Sequence, residues 1–370
     1  MRPLARRCLV VSFALLTVAV AGCGGSTKST QTGGSSANPA GNLKASLSGA
    51  GATFPAPLYL EWISKYTKTV QPGVHINYQG IGSGGGVEQF IAQKIDFGGS
   101  DAYMKDDEIQ AAQKARGCPV LHIPTVFGAV AIAFNAPGLD TITLDGPTLG
   151  SIFLGKVKSF DDPAIKVLNP GVTLPTTPIV VAHRSDGSGT TSIFTKYLAS
   201  VSPEWKAKVG PGGKTVPWPV GVGGQGNDGV AAAIKQNPGG LGYVELSYAI
   251  DNQLKTAALK NAAGKAVSPS IDSTIAAAET AQVPADLRFN LKNVGGAGYP
   301  IVGATWILAY ECGYSADKAV ALKDFLKWAL NDGTDTARQL HYAPLGASLK
   351  SKSLANVDKI NDKTASASPY

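Results

Sequence analysis

The stretch VHINYQGIGSGGGVEQFI, residues 74–91, decides the fold class. Val74, Ile76 and Tyr78 alternate with polar neighbours as one face of a strand does, and Val87, Phe90 and Ile91 mark a following helix. Between them, residues 80–86 read as a glycine-rich turn. The same grammar returns as a strand at 179–182, a loop at 184–189, and a helix with Phe194, Tyr197 and Leu198 on one face. Tyr59, Trp62, Ile63 and Tyr66 recur at helix spacing, with Pro55 and Pro57 in the first turn, where proline is tolerated. Further strands at 130–134 and 241–244 and helices at 228–236 and 316–330 continue the alternation, which defines an α/β architecture.

The ends of the chain read differently. Arg2, Arg6 and Arg7 precede an apolar run from Cys8 to Ala21, a secretory signal pattern over residues 1–22. The run is shorter than the roughly 20 residues a membrane-spanning helix needs. Val20, Ala21, Gly22 and Cys23 form a lipobox-like sequence in which Cys23 is acylated and becomes the mature N-terminus, so export and lipid anchoring at the outer face of the cell membrane are expected. Residues 23–45 form the lipidated cysteine and a Gly/Ser/Thr-rich tether. Residues 364–369 are too polar to be more than a frayed tail.

Roughly 320 residues remain for folding, enough for two lobes and a cleft between them. Losing the three leader arginines lowers the formal charge from +7 to +4. The remaining basic residues are scattered without an aromatic ladder, so no nucleic-acid partner is expected. With Cys8 and Cys23 accounted for, Cys118 and Cys312 remain in an oxidising compartment, and a disulfide and two separate buried thiols both stay open.

Four segments carry the chemistry: GAGATFPAP at 49–57, GIGSGGG at 80–86, DFGGSD at 96–101 and RSDGSGT at 184–190. Each sets small residues, hydroxyls or one charge at a helix start or strand end, where unpaired N–H groups attract anions. Thr53 reads as an anion donor, together with the Phe54 N–H, or as an ordinary helix cap. Gly80, Gly82 and Gly85 match a dinucleotide fingerprint, but Ser83 at the turn suits a free anion better. Arg184 offers a planar fork that Asp186 can hold, with Ser188, Gly189 and Thr190 opening a helix beside it.

Asp101 would repel an anion unless the ligand brings a proton to donate, as hydrogen phosphate does and sulfate does not. A site built for a ligand hydroxyl can reject its absence by about 10⁴-fold. The alternative for Asp101 is a cap for a helix at 105–115.

These four segments, with YQGIG at 78–82, TLGSIFLG at 148–155, GND at 226–228 and GYVE at 242–245, resemble the periplasmic phosphate-binding protein family, the receptors of the high-affinity phosphate ABC transporter. The resemblance implies a type II periplasmic-binding-protein fold: lobe 1 from residues 46–126 and 302–370, lobe 2 from 127–301, hinged near Val126 and Ile301. It implies phosphate ligation by Thr53, Phe54, Ser83, Asp101, Arg184, Ser188, Gly189 and Thr190, with Asp186 supporting Arg184. It places Cys118 and Cys312 on either side of the hinge, which favours the disulfide. The expected partners are inorganic phosphate and the permease subunits of an ABC importer, with the protein itself a monomer. A receptor for another oxyanion, such as sulfate, molybdate or a phosphonate, is the nearer alternative.

An enzyme is disfavoured. His75, His122, His183 and His341 accompany no nucleophile elbow, and Ser188 lacks the G-x-S-x-G spacing. No HExxH or Cys-x-x-Cys spacing occurs, so neither a metal nor another cofactor is expected.

Overall fold

The computed structural model describes residues 41–291 and 294–364. The expected signal segment, Cys23 and the tether as far as residue 40 lie outside the described residues, as do residues 365–369 of the expected tail. Among the described residues, no helix is long and apolar enough to cross a membrane.

The elements that position the site begin with β1 (Ala45–Gly51), α1 (Ala56–Lys65), β2 (Val74–Gly80), α2 (Gly82–Ile91), β3 (Phe97–Ser100), α3 (Asp106–Arg116) and β4 (Val120–Asn135). They continue with β5 (Val180–Arg184), α4 (Gly189–Val201), β6 (Val222–Gly224), α5 (Gly226–Gln236), β7 (Gly240–Glu245) and α6 (Leu246–Asp251). The last are β8 (Val302–Tyr310) and α7 (Ala316–Asn331). The main sheet path runs β2-β1-β3-β8-β4-β7-β5-β6. β1 lies parallel to β2 and β3, and β5 parallel to β6 and β7, whereas β8 and β4 are antiparallel to their neighbours.

β4 joins the two halves. Its residues 120–129 pair with β8, and its residues 130–135 pair with β7. It is buried almost throughout, which its near-continuous apolar sequence permits on both faces. The sequence pattern foresaw only 130–134 because His122, Pro124 and Thr125 interrupt the apolar run. The register shifts at that point: Trp306 faces Pro124 and Thr305 faces Val126, leaving Thr125 as an extra residue. A bulge of this kind is where a central strand tolerates proline. The chain returns beside β4 where Val130 N–H donates to the Ile301 carbonyl at 2.8 Å.

The glycine-rich turn expected at 80–86 is shorter than its sequence suggested, because residues 82–86 are the first turn of α2. Close approach explains glycine there despite its poor helix propensity. A Cβ on Gly86 would stand 2.5 Å from the Gly51 backbone.

Each half has an aromatic core. Phe194 stacks on Tyr243 at 4.4 Å in one, and Phe90 stacks on Tyr310 at 4.2 Å in the other. Burying each such ring contributes roughly 1.5–3 kcal/mol. Cys118 and Cys312 are joined as a disulfide with Cα atoms 5.5 Å apart, so of the two open alternatives the structure has the bonded one. The bond lies just outside the last β4–β8 pair, Val120 with Tyr310.

Candidate functional site

β1 ends at Gly51 and delivers Thr53 and Phe54 ahead of α1, whose N-cap is Pro55. Thr53 is therefore not the cap of α1. Its Oγ1 instead accepts from Asn227, through the backbone N–H at 3.2 Å and Nδ2 at 2.9 Å. Phe54 is buried, and its carbonyl accepts from the Tyr342 hydroxyl at 2.7 Å.

β2 leads into α2 and places Ser83 at its first turn. The Ser83 hydroxyl meets Asp101 Oδ2 at 3.3 Å and accepts from Asp101 N–H at 3.2 Å. Asp101 follows β3 and does not cap α3, whose N-cap is Lys105, with Glu108 accepting from the Lys105 N–H. Its Oδ1 accepts from the Thr305 hydroxyl of β8 at 2.8 Å. Burial pushes the Asp101 carboxyl up to about 7, against the Thr305 hydroxyl, the Arg184 charge and the Ser83 hydroxyl, which pull it down.

β5 ends at Arg184, whose Nε donates to Asp186 Oδ1 at 2.7 Å while Nη2 donates to Oδ2. Two of five guanidinium N–H groups are thereby directed at Asp186, which fixes the plane of the fork. Burial raises the Asp186 carboxyl, but the Arg184 bonds and charge and the Gly226 N–H outweigh it and hold the group below the usual range. Ser188 caps α4 by accepting from Thr191 N–H at 3.0 Å, so its own proton is free to donate elsewhere. The N–H groups of Gly189 and Thr190 belong to the first turn, before the helix's own ladder begins.

Contacts across the halves draw these pieces together. Gly84 N–H donates to the Gly187 carbonyl at 2.7 Å, so the start of α2 lies against the 184–190 loop. A Cβ on Gly189 would stand 2.5 Å from Ser83 Oγ and 2.6 Å from Asp101 Oδ2. Asn227 reaches both Thr53 and Thr190. All eight expected ligand residues are buried. A cavity of about 610 Å³ lies on the far side of Asp101, lined among others by Tyr103, Ile193, Lys196 and Trp306, and none of the other seven lines it.

Asn227, Thr305, Tyr248 and Glu245 belong to this network and were not singled out from sequence. The GND and GYVE segments contain two of them, but neither residue type announces a ligand there. Two of the histidines have structural partners: buried His122 accepts from Met104 N–H at 3.0 Å and is held down to about 4, first by burial and then by Arg288. His183 stacks on Trp218. Among the described residues, no group of three or more His, Cys, Asp or Glu is placed to hold a metal ion.

Two α/β halves joined along one long strand, with buried hydroxyl, guanidinium and carboxyl groups from both at their contact, define a two-lobed solute receptor of the type II periplasmic-binding class. Residues 27–332 match the family model described as a PBP superfamily domain. The chain is 43% identical over 304 residues to the phosphate-binding protein PstS of Pasteurella multocida (strain Pm70), covering 81% of this chain and 86% of that one. It is 41% identical over 363 residues to phosphate-binding protein PstS of Methanocaldococcus jannaschii, covering 91% and 88%. Among solved structures, the high-affinity periplasmic phosphate-binding protein PfluDING, bound with phosphate, aligns with a TM-score of 0.69 at 24% identity, over 86% of this chain and all of that one. The chain belongs to the PstS phosphate-binding protein family of the PBP superfamily.

Proposed function

We propose that this protein is an extracytoplasmic receptor that captures inorganic phosphate between its lobes and delivers it to the permease of an ABC importer, without chemistry on the ligand. The observation that carries the reading is Asp101, a buried carboxyl at the contact of the halves that accepts from the Thr305 hydroxyl and meets the Ser83 hydroxyl. Such a group discriminates for an anion that carries a proton.

The proposed ligands are Thr53, the Phe54 N–H, Ser83, Asp101, Arg184, Ser188, Gly189 and Thr190, with Asp186 orienting Arg184. Lobe 1 would comprise residues 46–126 and 302–370, and lobe 2 residues 127–301. The change of partner along β4 at residues 129–130 supports that division. Cys23 acylation and a monomeric state complete the proposal, on the lipobox-like sequence and on a site that a single chain assembles.

Isothermal titration of ligand-stripped protein with phosphate and then sulfate at neutral pH tests it. Tight one-to-one phosphate binding with no sulfate response is expected. Equal responses would make it a general oxyanion carrier, and silence to both would refute the receptor.

A further inference from the structure

We propose that Asn227 is a positioning residue that makes the Thr53 hydroxyl an obligate donor while the two halves are closed on each other, and biases the Thr190 hydroxyl the same way from within its own half. The inference rests on the anion-site reading above and assigns a role to a residue outside the ligand set.

Asn227 is fully buried at the second position of α5. Its Oδ1 accepts from Glu245 N–H at 2.9 Å. A backbone N–H can only donate, so this bond settles which end of the amide is oxygen. The NH₂ end must then face the site, where it donates to Thr53 Oγ1 at 2.9 Å and to Thr190 Oγ1 at 3.3 Å. The Asn227 backbone N–H reaches Thr53 Oγ1 as well, at 3.2 Å.

A hydroxyl has one proton and two lone pairs. Thr53 Oγ1 accepts twice from Asn227, so both lone pairs are engaged and its proton must be given elsewhere. Thr190 Oγ1 accepts once and is biased the same way. Left alone, each hydroxyl could rotate and present a lone pair to an anion. Held by Asn227, Thr53 presents hydrogen and Thr190 is biased to do so, so that closure itself orders the donors toward the anion.

Thr53 enters with β1, on one side of the β4 change of partner, while Asn227 and Thr190 lie on the other. Closure is therefore what brings the amide to Thr53. The Tyr248 hydroxyl, also from the second side, donates to the Thr53 carbonyl at 2.5 Å and steadies the same residue. The inference assigns Asn227 no contact with the ligand; it acts through the threonines.

The test uses the full chain and inorganic phosphate, with Asn227→Ala, Thr53→Val, their double variant and Asn227→Asp. Asn227→Ala and Thr53→Val should each weaken binding about 10- to 100-fold, and the double should be no weaker than the weaker single. An ionised Asn227→Asp would accept from the hydroxyls and turn them away from the anion, whereas its protonated form regains one donor. The affinity deficit of Asn227→Asp relative to wild type should therefore widen as pH rises. Arg184, Asp186, Asp101, Glu245, Tyr248 and Asp228 surround the position in both proteins, so the ratio to wild type isolates residue 227. Multiplicative losses in the double variant, a pH-independent ratio, or wild-type binding by Asn227→Ala would overturn the role. Failure of wild type to bind phosphate would instead overturn the site reading itself.

Discussion

At the scale of single residues, the proposed selectivity rests on Asp101. Its carboxyl accepts from Thr305 and meets Ser83, and burial pushes it up to about 7 against those bonds and the Arg184 charge. An ionised carboxylate can accept the proton of hydrogen phosphate, whereas sulfate has none to give and would leave two negative charges opposed. Asp101→Asn replaces the acceptor with a group that also donates. The phosphate-to-sulfate affinity ratio, measured by titration calorimetry at neutral pH, should fall by about 100-fold or more. An unchanged ratio would remove Asp101 from the selectivity mechanism. Asp101, Arg184 and Ser83 were legible in the sequence because a carboxylate, an arginine and a glycine-flanked serine each have few reasons to stand where they do. Thr305 was not, since one threonine in the apolar strand VGATWILAY reads as a strand former.

At the scale of elements, two helix starts face each other. The first turn of α2 and the loop before α4 meet through Gly84 and Gly187, and Gly189 opens α4 against Ser83 and Asp101. The strand–loop–helix grammar of both units was readable from periodicity, but the point where glycine turn becomes glycine helix was not. Local propensity disfavours five glycines near a helix start, and the approach of other segments explains Gly80, Gly82, Gly84 and Gly86. Gly189→Ala separates the two influences. Alanine is the better helix former, so the unliganded protein should melt no lower than wild type. The added methyl would fall on Ser83 and Asp101 when the halves close, so phosphate affinity should drop about 10- to 100-fold. Small-angle scattering should show weaker compaction on adding phosphate. A lowered melting temperature with unchanged affinity would place the need for glycine in the helix itself.

At the scale of the whole molecule, several side-chain contacts tie the two halves. Lys214 pairs with Glu108 at 2.6 Å from one side to the other, and Tyr342, following α7, reaches Glu245 at the end of β7. Glu245 is fully buried and accepts on Oε2 from Ser247 N–H at 2.9 Å, while its Oε1 has no hydrogen-bond partner. Tyr342 has a single proton for three neighbours, the Phe54 carbonyl at 2.7 Å, Glu245 Oε2 at 2.9 Å and the Ser247 hydroxyl at 3.0 Å. If the carbonyl takes it, a protonated carboxyl completes the second contact. Burial points the same way and pushes Glu245 up to about 8, against the Ser247 and Tyr342 bonds that lower it. The sign follows from proton counting: between the ordinary value of 4.5 and about 8, the folded chain holds a proton that the unfolded chain has released. Stability from this group is complete below 4.5 and is lost as pH rises through about 8. Denaturant unfolding of the ligand-free protein should therefore show stability falling from pH 5 to pH 8, on the order of a few kcal/mol from Glu245. Glu245→Gln stays neutral throughout and should flatten that curve. Parallel curves for wild type and Glu245→Gln would mean that Glu245 is ionised in the fold, and that the Tyr342 proton then serves Glu245 and not the Phe54 carbonyl.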